Sequence, residues 1–122
     1  MIQKRVIDNS EINMEIKKIY VSLPMKDKED TIEDRVNLAI DYCERFLPDY
    51  DLVFPCNIEQ FFGENKTFER DHPYGWYIGE DIKVEFECDA ILMTPGWEDS
   101  LGCRIEYAIA KERGMEIFHQ IF

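Results

Sequence analysis

DAILMTPGWEDSLGCRIEYAIAKE, residues 89–112, decides how this chain folds. Ala90 to Met93 is a four-residue apolar run, the length of a buried strand. Thr94-Pro95-Gly96 then breaks it with turn chemistry. Ser100 opens a helical pattern with Leu101, Ile105, Ala108 and Ile109 on one side, and Gly114 closes it. The order is strand, tight loop, helix N-terminus. Such a helix end presents free backbone N–H groups and a partial positive charge, which suit an anionic or strongly polar ligand group. Glu106 lies one to two turns inside the helix, where a carboxylate can act on whatever binds at its start.

The flanking sequence repeats the alternation. Ile19-Tyr20-Val21 with Leu23 reads as a strand stopped by Pro24. Thr31 and Asp34 have capping-box spacing. Ile32, Val36, Ala39, Ile40, Cys43 and Leu47 then recur on one helical face until Pro48. Leu52-Val53-Phe54 is a further strand, closed by Pro55. Gln60 to Gly79, with its glycines, proline and aromatics, reads as a long functional loop. Asp81 to Cys88 fits either period. A helix is preferred there, because no turn residue separates it from the strand at Ala90 and a parallel sheet needs a crossover. Glu116 to His119 is a last strand.

These elements predict an α/β, flavodoxin/Rossmann-like three-layer fold with a four- to five-stranded, mostly parallel sheet. Residues 1–17 are an N-terminal extension or an edge strand, and 18–122 form the domain. Right-handed crossovers bring the C-terminal ends of the strands to one edge. Ser22 to Met25, Pro55 to Asn57 and Thr94 to Ser100 are expected to converge there.

Composition narrows the ligand. The 122 residues carry 26 acids against 14 bases, a net charge of -12, with 45% hydrophobic residues. Such a chain can bury a core and disfavours duplex nucleic acid and anionic membranes. Cys43, Cys56, Cys88 and Cys103 are too scattered for a CxxC metal pair and read as buried, reduced thiols. With His72 and His119 as its only histidines, the chain is expected to use neither metal nor cofactor. The charged N-terminus and the lack of a membrane-length apolar run point to a cytoplasmic protein.

KIYVSLPM at 18–25, WYIGEDIKVEFECDAILMTPGWEDS at 76–100 and SLGCRIEYAIAKERG at 100–114 carry a resemblance. The pattern D-x7-D, then PGWExS, then GxxxE, resembles the nucleoside 2-deoxyribosyltransferase-like superfamily, in particular a small bacterial and phage branch. It is similar also to the 2′-deoxynucleoside 5′-phosphate N-glycosidases. The resemblance covers roughly residues 18–119. It implies cleavage of a base–sugar bond in a small-molecule nucleoside or nucleotide. Glu106 matches the glutamate that attacks or stabilises the anomeric carbon, and Asp81 the aspartate that assists at the base or a sugar hydroxyl. Tyr20 matches the first-strand tyrosine of the sugar site, with Ser22 and Leu23 following it. Ser100 and Gly102 match the loop and helix start that hold the 5′ end. The family also implies a homo-oligomer, a dimer, in which a neighbour closes the site. Leu23 stands where the family usually has glycine, a departure that bears on substrate identity.

Other side chains have two readings each. Trp97 stacks a ligand, or packs in a core or dimer contact. Asp89 secures the start of a strand, or touches ligand. Tyr74, Trp76 and Tyr77 form a base-stacking lid, or pin the long loop. Arg104 is the nearest cation for a phosphate, or an ordinary surface charge. The rival to an enzyme is a protein that binds a nucleotide-like ligand without turnover.

Overall fold

The structure is a computed structural model and describes residues 17–25, 28, 31–56, 58 and 72–121. The N-terminal extension up to residue 16 and most of the expected long loop lie outside the described residues. The element order is β1 (Lys17–Ser22), α1 (Ile32–Phe46), β2 (Tyr50–Val53), α2 (Tyr74–Glu85), β3 (Ala90–Met93), α3 (Leu101–Arg113) and β4 (Glu116–His119). A 3-10 turn over Trp97–Asp99 leads into α3.

The four strands form one parallel sheet in the order β2-β1-β3-β4. Connections leave β1 and β3 in opposite directions, so the sheet has a topological switch point between them. The fold is α/β and three-layered, of the flavodoxin/Rossmann-like kind.

The period of two along β1 divides the core. Ile19, Val21 and Leu23 face α1 and pack with Ile32, Val36, Ala39, Cys43, Ala90 and Leu92. Tyr20 turns the other way and packs with Ile91, Met93, Cys103 and Ala110, beneath α2 and α3. β3 is buried along its whole length, as a central parallel strand should be. Burying each of these large apolar side chains contributes on the order of 1.5–3 kcal/mol.

Three local expectations need correction. The long loop ends earlier than its glycines suggest. α2 begins at Tyr74, directly after Pro73, and runs through Gly75 and Gly79. Each helical glycine costs only about 1 kcal/mol, which packing of one face can offset. Thr31 precedes α1 without capping it through its side chain. Its hydroxyl donates to the Lys28 carbonyl at 3.1 Å and accepts from Arg35 Nε at 3.0 Å. The third correction concerns α3. Its buried residues are Cys103, Glu106 and Ala110, and Leu101 on the expected apolar side is 48% exposed. The carboxylate, not the leucine, faces the sheet.

Ser100 caps α3 as its spacing predicts, accepting from the Cys103 backbone N–H at 3.3 Å. Gly114 ends the helix with φ at 73°, a conformation costly for other residues. Ser100→Ala is expected to lower stability by about 1 kcal/mol, read as a smaller urea midpoint with an unchanged slope. Among the described residues no helix is long and apolar enough to cross a membrane.

Candidate functional site

Tyr20 and Ser22 are two residues apart on β1, so both side chains leave the sheet on the α3 side. There they meet Glu106. The Tyr20 hydroxyl donates to Glu106 Oε2 at 2.9 Å, and the Ser22 hydroxyl donates to Oε1 at 2.6 Å. Ser22 is itself fixed from the residue after β3, where the Thr94 hydroxyl donates to its carbonyl at 2.8 Å. Glu106 is therefore gripped from the strand pair that flanks the switch point.

Glu106 is 4% exposed. Burial pushes its carboxyl up to about 8, with nearby Asp81 and Glu85 adding to the rise. The two hydroxyl donors favour the ionised form and oppose the rise, but desolvation is larger. Tyr20 is held well above its usual range, by burial first and by the Glu106 charge second, so it remains a donor.

Asp81 reaches the same cavity from α2. The Cys56 backbone N–H, just past β2, donates to Asp81 Oδ1 at 2.8 Å. Burial raises the Asp81 carboxyl, and the Cys56 donors pull against that rise. The Cys56 thiol is pushed up to about 12 by burial and by Asp81. It is thus a neutral thiol, with little thiolate character. Cys103, pushed up to about 12 mainly by burial, is likewise inert.

The cavity between these groups has a volume of about 50 Å³ and is lined by Leu23, Cys56, Tyr77, Asp81, Ser100 and Glu106, among others. Tyr74 and Ser100 also line an adjoining groove of about 420 Å³, with Lys28 and Arg104 on its walls. Gly102 lies against this partition: a Cβ there would sit 3.6 Å from the Tyr74 hydroxyl. The Arg104 guanidinium donates to the Glu98 carbonyl at 2.9 Å, which fixes it beside the groove.

Of the residues picked from sequence, Glu106, Asp81, Leu23, Ser100 and Gly102 line one cavity. Tyr20 and Ser22 lie underneath, fully buried, and hold Glu106. Two lie elsewhere. Asp89 is at the opposite edge of the sheet, where its Oδ2 accepts from the Lys18 backbone N–H at 2.9 Å. Trp97 packs against Tyr107 and His119, with ring centroids 4.7 and 5.9 Å away. Trp76 is exposed and stacks on His72 at 3.9 Å, whereas Tyr74 and Tyr77 line the cavity.

Cys56 and Glu85 escaped sequence reasoning. Cys56 is brought in by tertiary packing alone. Glu85 had a signal, since Tyr77, Asp81 and Glu85 follow at intervals of four.

Leu23 packs both in the α1-side core and on the cavity wall. Leu23→Ala is expected to widen the cavity and to cost roughly 2–5 kcal/mol. Chemical denaturation and ligand titration of the same variant check both effects.

A sequence profile described as a domain of unknown function (DUF4406) matches residues 61–119. The matched span holds Asp81 and Glu106 but not Tyr20 or Ser22. No curated protein and no solved structure matches the chain.

Proposed function

We propose that this protein is a nucleoside or nucleotide N-glycosyl enzyme, a 2-deoxyribosyltransferase or N-glycosidase, with Glu106 as its nucleophile. One observation carries the reading: a buried glutamate, oriented by two hydroxyls, shares a cavity with a second carboxyl on another helix. Breaking an N-glycosidic bond builds positive charge on the sugar. A desolvated carboxylate beneath the anomeric carbon stabilises that charge strongly. A Glu106 oxygen then bonds to the anomeric carbon as the bond to the base nitrogen breaks. The base leaves with the bonding pair and takes a proton from the Asp81 carboxyl or from solvent. Asp81 engages the base or a sugar hydroxyl. Water completes hydrolysis by displacing the glutamate, and a second base completes transfer.

The adjoining groove is where the rest of the ligand fits, with Ser100 and the start of α3 at its 5′ end. Lys28 and Arg104 outnumber Asp99 on its walls and so offset the net charge of -12 locally for an anionic group. The space over Glu106, about 50 Å³, is smaller than a nucleoside, so the side chains that line it must shift to admit the sugar.

Incubation with a panel of deoxynucleosides and their 5′-monophosphates, with and without a free acceptor base, separates the readings. Chromatography should show released base, and exchanged nucleoside if the enzyme is a transferase. Saturable binding with no released base favours the binding protein.

A further inference from the structure

Glu85 has no part in the chemistry above, yet its placement is expensive. Its side chain is 0% exposed, and neither carboxyl oxygen has a hydrogen-bond partner among the described residues. It is one of the two buried residues of α2, and its neighbour Val84 packs against a cluster built from Tyr20, Cys88, Ile91, Cys103 and Ala110. An ionised carboxylate cannot persist in such surroundings without a partner, and the group stays neutral instead.

The titratable and charged groups around it offer no such partner. Asp81 precedes it by one turn on α2. Cys88 lies in the turn into β3, Tyr20 on β1, and Glu106 and Arg113 on α3. Arg113 is the sole cation among these, and its donors are directed at backbone carbonyls and at the Met115 sulfur. Nη1 donates to the Glu85 carbonyl at 3.2 Å and Nη2 to the Phe86 carbonyl at 3.1 Å. Its guanidinium also lies 4.6 Å from the Phe86 ring centroid.

α2 buries only two of its residues, Tyr77 and Glu85. Asp81 lies midway between them, four residues from each. Tyr77 and Glu85 are thus the two buried anchors of the helix, with Val84 packing at the core margin and the Cys56 N–H holding the Asp81 carboxyl directly. We propose that Glu85 is a positioning residue for Asp81: its protonated carboxyl seats α2 on the sheet, and its ionisation unseats α2 and withdraws Asp81 from the cavity. Burial does push this carboxyl up to about 8, against an opposing pull from Arg113. The inference concerns how the site is held and does not depend on which reaction, if any, the site performs.

Backbone hydrogen exchange across pH 6–9, corrected for intrinsic rates, tests it on the ligand-free protein. Protection of Tyr74–Glu85 should fall at least about tenfold relative to β1 and β3 in the wild type. It should stay within about twofold in Glu85→Gln and in Glu85→Met. Wild-type α2 protection that does not change with pH overturns the proposal without any variant. So does a loss that persists in both Glu85 variants.

Discussion

Unfolding by urea is expected to be hardest near pH 5 and much easier at pH 9. Glu85 and Glu106 each carry a carboxyl raised from 4.5 to about 8 in the folded protein. The folded state therefore holds protons that the unfolded chain has released. Stability from this source is fully present below about pH 4.5, falls between there and about 8, and is lost above. Each group contributes at most on the order of 3–5 kcal/mol, and the two interact, so their titrations belong to the pair. Asp81, raised by burial, changes stability in the same direction. The net charge of -12 adds self-repulsion as pH rises. With ordinary urea slopes for a chain of this size, a loss of several kcal/mol moves the midpoint by about 2 M or more. A midpoint that is flat or rises from pH 5 to 9 contradicts the burial of these two acids.

Glu106→Gln should lower base release by at least about 10³-fold, the scale of losing a nucleophile or its charge. Glutamine keeps the shape: its carbonyl oxygen accepts from one of the two hydroxyls, and its amide N–H donates to the oxygen of the other. Ligand affinity should therefore change little. The same variant should be more stable than wild type at pH 9, because one buried charge is gone. These opposite effects separate lost chemistry from lost fold. In the wild type, activity below pH 8 should rise nearly tenfold per unit as Glu106 ionises. Above pH 8 the release of α2 should turn the profile down.

Much of this was legible in the residues. Ala90–Met93, the turn after it and Ser100 fixed the central strand and the capped helix, because those signals are local. The parallel topology followed from alternation and handedness. What local patterns missed was orientation. Leu101, Ile105, Ala108 and Ile109 form the more apolar side of α3, yet Cys103, Glu106 and Ala110 face the sheet. Two hydroxyls on β1 make burial of that glutamate tolerable, and they lie 84 and 86 residues away. The extent of α2 was hidden by Gly75 and Gly79, whose weak propensity resembles that of a loop. With α2 begun at Tyr74, the Tyr77-Asp81-Glu85 spacing becomes readable. Cys56 left no trace in sequence, since only the return of the chain after β2 brings its N–H to Asp81.

The central claim is that Glu106 bonds to the sugar. Acid quenching during the first turnovers of a slow deoxynucleoside substrate, followed by peptide mass spectrometry, tests it most directly. The account predicts a deoxyribosyl adduct on the peptide that contains Glu106, absent from Glu106→Gln. An adduct on another side chain, or base release while Glu106 stays unmodified throughout, would contradict it.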